Sequence, residues 1–155
     1  MKALRRVGRP EDTVGTLMRK NFVSVGSEES LLDADRIMRL ARIRHLPVVD
    51  AGRLVGLLSH RDVLDASIAR LEESDGVERA QHLRGIAIAE VMHREPYTAT
   101  ERTSLGDAAQ RMLRLKIGCL PVVRHGRRGQ EMVGLVTESD LLRAAYAPEF
   151  DEASD

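Results

Sequence analysis

The residues best suited to chemistry form two short motifs in which a hydroxyl precedes a carboxylate by three positions. They are Ser59 with Asp62, and Thr137 with Asp140. Each has the spacing of a capping box at a helix N-terminus, where an N-cap hydroxyl stabilises the helix by about 1 kcal/mol. The same geometry suits binding, because a carboxylate in a first helical turn can accept both hydroxyls of a ribose, and free amides there attract anions. The spacing alone favours the cap, and the two interpretations are compatible.

Positive charge is distributed unequally around the two motifs. Four basic side chains flank or occupy the first motif: Arg44, His45, His60 and Arg61. The matching positions of the second motif carry no basic residue: Gly118, Cys119, Glu138 and Ser139. Arginine supplies forked, charged donors that suit phosphate, whereas a glutamate repels it. A phosphorylated ligand is therefore predicted to prefer the motif of Asp62, although a solvated surface is the alternative role for Arg44 and Arg61.

No other group of residues indicates catalysis or metal binding. The histidines lack the i, i+4 spacing of a helical metal site. Cys119 is the only cysteine and is predicted to be buried and inert beside apolar neighbours. The chain has no glycine-rich phosphate loop. Because no nucleophile or general base is singled out, an enzyme is the least favoured class.

Composition narrows the classes of partner. Basic and acidic residues number 24 each, so the net charge is zero, without the positive surplus that phosphate backbones require. Aromatic residues are only 3% of the chain, so aliphatic groups and backbone would have to hold a ligand ring. One cysteine fits a reducing compartment, and neither a secretory signal nor a membrane-spanning apolar run is evident. We therefore expect a cytoplasmic protein without nucleic-acid or membrane partners.

Both motifs belong to an internal repeat. The sequence Leu-Pro-Val-Val at residues 46–49 recurs at residues 120–123, and Val-Gly-Leu at residues 55–57 recurs at residues 133–135. The second copy is therefore four residues longer between these two segments. The extra residues fall in the basic, glycine-rich segment 124–129, which is predicted to form a longer hairpin turn.

Each repeat predicts the order strand, helix, strand, strand, helix after a short helix that ends at Met18 or Met92. The first strands are the extended runs 22–25 and 97–99. Ser30 and Ser104 are predicted N-caps of the next helices. In the first of these helices the predicted buried face is Leu31, Ala34, Met38 and Ala41. A hairpin turning at residues 50–52 follows, and the last helices begin near the two motifs. The predicted segments are repeats at 10–71 and 86–148, a linker or helix at 72–85, and an acidic tail at 149–155.

The ordered set of motifs resembles a CBS domain in both repeats. Leu-Pro-Val-Val is followed by Gly-Leu-Leu-Ser-His-Arg-Asp at residues 56–62 and by Gly-Leu-Val-Thr-Glu-Ser-Asp at residues 134–140. The pair resembles a Bateman module over about residues 13–146. The resemblance implies an α/β (α+β) fold of two β-α-β-β-α repeats packed through their sheets with pseudo-twofold symmetry. It also implies a regulatory ligand sensor that forms a homodimer.

The resemblance implies an adenosine-containing ligand in the clefts between the repeats: AMP, ADP or ATP, with S-adenosylmethionine or NAD as alternatives. Ribose would be held by Ser59, Asp62, Thr137 and Asp140, and phosphate by Arg44, His60 and Arg61. Adenine would lie among aliphatic side chains: Ile43, Leu57, Ile117 and Leu135. His45 and Cys119 complete the predicted binding set. No cofactor is required, and a stand-alone module of this kind would act on a separate, unidentified effector protein.

A ligand-free dimerisation or docking module is the main alternative. In that case the Ser-x-x-Asp and Thr-x-x-Asp motifs serve only as helix caps, and each aliphatic residue of the predicted adenine site is an ordinary core residue.

Overall fold

The computed structural model describes residues 12–68 and 76–146, and a helix, a hairpin and a second helix follow one another twice along it. In chain order the elements are α1 (Val14–Leu17), α2 (Leu31–Ala41), β1 (His45–Asp50), β2 (Arg53–Ser59), α3 (His60–Ile68), α4 (Gly76–Arg84), the 3-10 helix η1 (Ile88–Glu90), α5 (Leu105–Leu115), β3 (Cys119–Gly126), β4 (Gly129–Thr137) and α6 (Glu138–Tyr146). The predicted short helix of the second repeat is thus a single 3-10 turn. The predicted tail at 149–155 and part of the predicted linker lie outside the described residues.

The described residues form two units that do not coincide with the two repeats. The Asp62 unit is Val23–Pro96 apart from residues 69–75, and the Asp140 unit is residues 12–22 together with residues 97–146. The first segment of each repeat therefore packs in the unit that contains the hairpin of the other repeat. Helix α1 belongs to the Asp140 unit, and η1 belongs to the Asp62 unit. Each unit has its own cluster of buried apolar side chains.

Helices α2 and α5 begin at the predicted caps. Ser30 Oγ accepts a hydrogen bond from the backbone N–H of Asp33 at 3.2 Å, and Ser104 Oγ accepts one from Asp107 at 3.0 Å. The apolar face of α2 is buried over its first two turns, at Leu31, Ala34 and Met38. Ala41, which was predicted to continue that face, is exposed. The helix ends at the next residue in a left-handed conformation, so its last turn lies beyond the core.

The two hairpins differ in length in a way that the sequence prediction missed. In the Asp62 unit, Asp50 pairs with Arg53 around the predicted turn. In the Asp140 unit, Gly126 pairs with Gly129, so only two residues lie between the paired positions. The four extra residues extend β3 and β4 by two pairs beyond the equivalent of Asp50 with Arg53, namely His125 with Gln130 and Gly126 with Gly129. The prediction of a longer turn is therefore wrong. Each strand gains two residues, so the alternation of side chains between the two faces is preserved and the pairing of the strands continues.

The predicted first strand of each repeat is reduced to one parallel bridge. Val25 donates to the carbonyl of Pro47 at 3.1 Å and accepts from Val49 at 2.8 Å. Ala99 bridges the second hairpin in the same way, through the carbonyl of Pro121 at 2.9 Å. Continuing the ladder toward earlier residues would require an N–H from the proline, which has none. The proline in Leu-Pro-Val-Val therefore prevents this bridge from continuing toward earlier residues.

Helix α4 is part of the Asp62 unit. Leu83 of α4 is fully buried in the core of that unit. Asp35 of α2 is also buried, and its carboxylate contacts Arg79 of α4 and Arg39 of α2, each at 3.1 Å. Burial by itself raises the pKa of Asp35, but the hydrogen bond and charge of Arg79, together with Arg39, lower it overall. The segment predicted as a linker or helix thus contains a helix from residue 76 to residue 84, and the ion pair of Arg79 with Asp35 holds it against α2.

Candidate functional site

Both predicted capping boxes form. In the Asp62 unit, the N–H of Asp62 donates to Ser59 Oγ at 3.2 Å, and the N–H of Ser59 donates to Asp62 Oδ2 at 2.8 Å. In the Asp140 unit, Asp140 donates to Thr137 Oγ1 at 3.2 Å, and Thr137 donates to Asp140 Oδ2 at 2.9 Å. The structural interpretation of the motifs is therefore confirmed, and it uses one carboxylate oxygen of each aspartate.

The second oxygen of each carboxylate has a basic partner that the sequence analysis missed. Asp62 Oδ1 lies 3.1 Å from His93 Nε2. Asp140 Oδ1 lies 2.9 Å from both Nε and Nη2 of Arg19. Arg19 and His93 occupy equivalent positions of the two repeats, each directly after the repeated methionine. Extending the repeat alignment by one residue would have found the pair of positions, although not their contacts.

Backbone pairing sets the positions of these basic residues. His93 exchanges two hydrogen bonds with Leu57, at 2.9 and 3.0 Å, and Arg19 exchanges two with Leu135, at 2.8 and 3.0 Å. The adjacent methionine packs against the glycine of Val-Gly-Leu. A Cβ at Gly56 would lie only 2.5 Å from Met92 Sδ. The repeated glycine is therefore required for the close approach that brings the basic residue to the aspartate.

The two carboxylates differ in exposure. The side chain of Asp62 is 15% exposed and its partner His93 is 70% exposed. The side chain of Asp140 is 5% exposed, and its partner Arg19 is 52% exposed. Asp140 is thus the more enclosed carboxylate, and it has the permanently charged partner.

The predicted basic cluster lies within the Asp62 unit, around the start of α3. The N–H of His60 donates to the carbonyl of Arg44 at 2.8 Å, and His45 pairs with Ser59 across the hairpin. Arg44 and Arg61 are exposed, while His45 and His60 are half-buried. Burial lowers the pKa of His45, the charge of Arg44 lowers it further, and Asp62 partly opposes the shift. His45 is therefore neutral at pH 7 and supplies hydrogen bonding rather than positive charge.

The corresponding part of the Asp140 unit has the same backbone contact without the basic residues. The N–H of Glu138 donates to the carbonyl of Gly118 at 2.9 Å. Cys119 pairs with Thr137 and is buried, as predicted. Burial raises the pKa of its thiol to about 12, so the thiol is un-ionised and inert at neutral pH.

The aliphatic residues of the predicted adenine sites are unequally accessible. Ile43, Leu57 and Ile117 are half-buried, and the two isoleucines pack against the edges of their cores. Leu135 is buried. Of the four predicted adenine residues, two are therefore partly open in the Asp62 unit and one is partly open in the Asp140 unit.

Within residues 12–68 and 76–146, no group of three or more histidine, cysteine, aspartate or glutamate side chains is placed to hold a metal ion. Over the same residues, no helix combines the length and apolar character needed to cross a membrane.

Comparison with known proteins identifies the family. The family model of the CBS domain matches residues 14–69 and again residues 88–147. The chain belongs to the CBS-domain family. A CBS domain-containing protein of Dictyostelium discoideum is 30% identical to it over 130 residues, which are 83% of this chain and 88% of that protein. The prediction of a tandem CBS pair is confirmed.

Solved structures of CBS pairs have the same fold. CBSX2 in complex with AMP is 30% identical, with a TM-score of 0.70 over 86% of this chain and 96% of that one. The CBS domain pair of protein MJ0100, in complex with 5′-methylthioadenosine and S-adenosyl-L-methionine, is 28% identical, with a TM-score of 0.68 over 85% and 94% of the chains. The α+β fold prediction is confirmed, and the chain is a CBS pair of the type found in regulatory modules.

Several relatives are much longer than the matching region. The chain spans 40% of one curated relative and 22% and 23% of two others, one of which is an inosine-5′-monophosphate dehydrogenase of Korarchaeum cryptofilum. CBS pairs therefore occur within larger proteins, including enzymes.

Proposed function

We propose that this CBS pair is a cytoplasmic regulatory module that binds an adenine nucleotide (AMP, ADP or ATP) at the Asp62 unit and modulates a separate effector protein. The observation that carries the proposal is the carboxylate of Asp62. One of its oxygens completes the helix cap, and within the described part of the chain the other contacts only the exposed side chain of His93. That second oxygen is positioned to accept ribose hydroxyls at the start of α3.

The surroundings of Asp62 support a phosphorylated ligand. Arg44 and Arg61 are exposed cations, and the positive end of the α3 helix dipole lies beside them. The neutral side chain of His45 and the half-buried side chain of His60 add polar contacts, and Ile43 and Leu57 provide aliphatic surface for adenine. The CBSX2 structure, which contains AMP, favours this ligand class. S-adenosylmethionine is the alternative, favoured by the ligands of the MJ0100 pair, and NAD is a further one.

Isothermal titration calorimetry of the full chain with AMP, ATP and S-adenosylmethionine tests the proposal. Asp62→Asn retains an oxygen for the cap and removes the charge, so it is expected to abolish nucleotide binding in a folded protein. Asp140→Asn makes the same change in the other unit and is expected to leave binding at Asp62 intact. Absence of binding by the wild type up to millimolar concentrations would refute the proposal.

A ligand-free dimerisation module is the second candidate, and a repeated apolar surface favours it. Helix α3 exposes Leu64 and Ile68 to 39% and 63%, and α6 exposes Leu142 and Tyr146 to 54% and 72%. These are equivalent positions of the two repeats, one helical turn apart in each helix. We propose that they pair with a second copy of the chain in a homodimer. Dimer mass by sedimentation equilibrium is expected for the wild type and monomer mass for Leu64→Glu/Leu142→Glu. A monomeric wild type would contradict the proposal.

A further inference from the structure

The partners of the two aspartates differ in how many acceptor positions they occupy. Nε and Nη2 of Arg19 both contact Oδ1 of Asp140 at 2.9 Å. His93 contacts Oδ1 of Asp62 through one nitrogen at 3.1 Å. A carboxylate oxygen has two lone pairs, so two donors fill Oδ1 of Asp140, whereas residues 12–68 and 76–146 leave one acceptor position of Oδ1 open on Asp62.

This difference determines what a ribose must displace. At Asp62 a ribose hydroxyl can use the open position or replace the single hydrogen bond of an imidazole nitrogen. At Asp140 it must replace a permanently charged guanidinium, whose hydrogen bonds to a carboxylate are about twice as strong as neutral ones. The carboxylate is also 5% exposed, which reduces the solvation available to it during such an exchange.

We propose that Arg19 keeps the Asp140 site closed to ribose and that the histidine at the equivalent position leaves the Asp62 site open. The two residues thus determine which repeat binds an adenosyl ligand. Because Glu138 lies in the first turn of α6 and repels phosphate, the ligand class that the Asp140 site would take without Arg19 is an unphosphorylated adenosine. The inference rests on the proposed function for the identity of the ligand.

Exchanging the two basic residues tests the inference without leaving either carboxylate unpaired. The probe is adenosine, which carries no phosphate for an arginine to attract, and its stoichiometry and affinity are measured by isothermal titration calorimetry on the full chain. The wild type is expected to bind one adenosine per chain. Arg19→His is expected to bind two, and the additional site is expected to disappear in Arg19→His/Asp140→Asn.

The reciprocal variant, His93→Arg, places a guanidinium opposite Asp62. It is expected to lower the affinity of the Asp62 site for adenosine by about tenfold or more, since a guanidinium can fill both acceptor positions of Oδ1 and one charge-assisted hydrogen bond is worth that factor. Thermal unfolding of both variants verifies that they remain folded. Lys20→His changes an exposed basic residue next to Arg19 and is expected to leave the stoichiometry at one.

Two results would overturn the inference. One is a wild type that binds two adenosines, one of which is lost in Asp140→Asn. The other is a folded Arg19→His protein with no additional site. Failure of the proposed function gives a different result, because the Asp62 unit of the wild type then binds neither AMP nor adenosine. Even in that case, a site that is gained in Arg19→His and lost in Arg19→His/Asp140→Asn supports the role of Arg19.

Discussion

The Asp62 unit and the Asp140 unit have the same local backbone with different charges on it. Both have a capping box where the second strand of the hairpin ends, a glycine that contacts a methionine, and a basic residue paired with the capping aspartate. The basic residue is His93 in one and Arg19 in the other. The comparison teaches that glycine and capping residues define the shared local geometry, while the neighbouring side chains give each unit its own charge.

A second pair of equivalent positions leads to the same conclusion. In the Asp62 unit, the N–H and hydroxyl of Ser27 donate to the carboxylate of Asp50 at 2.9 and 2.6 Å. In the Asp140 unit, Arg124 donates to both carboxylate oxygens of Glu101 at 3.1 Å. The equivalent loop contacts the equivalent strand position in both units, but the acidic residue is on the strand in the Asp62 unit and on the loop in the Asp140 unit. The two units thus share the location of this contact but not the types of residue that make it.

The largest expected effect concerns Asp35, whose equivalent in the other repeat is Ala109. Replacing Asp35 with alanine makes the units alike at this position and leaves the mostly buried guanidinium of Arg79 without its carboxylate. We expect a loss of about 3 kcal/mol in the free energy of unfolding, because removing one partner of a buried ion pair strands the other charge. Urea denaturation measures the change. Asp35→Ala/Arg79→Met is expected to recover part of it, and equal losses in both variants would contradict the explanation.

The dependence of stability on acidic pH provides an independent test of the Asp35 ion pair. Its pKa is lower in the folded chain than in the unfolded chain, so its contribution to stability is complete above the ordinary carboxyl pKa of about 3.9 and disappears as pH falls through the lower, folded value. The wild type is therefore expected to lose stability over this acid range more steeply than Asp35→Ala. Parallel stability curves for the two proteins would show that the ion pair contributes nothing.

The next effect concerns the two glycines that contact methionines. Gly56→Ala and Gly134→Ala each place a Cβ against a methionine thioether and should destabilise the chain by about 1–3 kcal/mol through overpacking. Thermal unfolding measures both losses. Because the segment at Gly56 carries His93, only Gly56→Ala is expected to change nucleotide affinity. Equal effects of the two variants on affinity would remove the functional distinction between the units.

A smaller effect is expected from the helix caps. Ser59→Ala and Thr137→Ala each remove an N-cap hydroxyl and should cost about 1 kcal/mol. The free energy of unfolding is expected to fall similarly in both variants. AMP affinity, measured on the same samples, is expected to fall only in Ser59→Ala. If neither variant changes AMP affinity, Ser59 acts solely as a cap.

The smallest effect is expected at the hairpin tips. Ala51 has a φ of +51°, a left-handed conformation that is costly for a residue with a Cβ. Ala51→Gly relieves that cost at the expense of a more flexible unfolded chain, so we expect a net gain of a few tenths of a kcal/mol up to about 1 kcal/mol. Arg127→Gly at the other tip, where φ is not positive, is the control and should give no gain in thermal unfolding.

Much of the fold was predictable because its signals are local. The caps at Ser30 and Ser104, the turn at residues 50–52 and the capping motifs all depend on residues three or four positions apart. The burial of Cys119 followed from its apolar neighbours. The failures concern contacts between segments. Ala41 is exposed because the last turn of α2 is not covered by the core. The extra residues of β3 and β4 pair with each other, and Val25 pairs with a strand that contains Pro47.

The sequence by itself determined the repeat, the order of the elements and the aspartates that cap the last helices, since spacing and periodicity encode short-range hydrogen bonding and burial. Only the tertiary structure revealed the partners of those aspartates. His93 lies 31 residues from Asp62, and Arg19 lies 121 residues from Asp140. The physical reason is that a contact across such a separation depends on how a repeat folds onto the strand of the other repeat. No local pattern of residue types encodes that pairing.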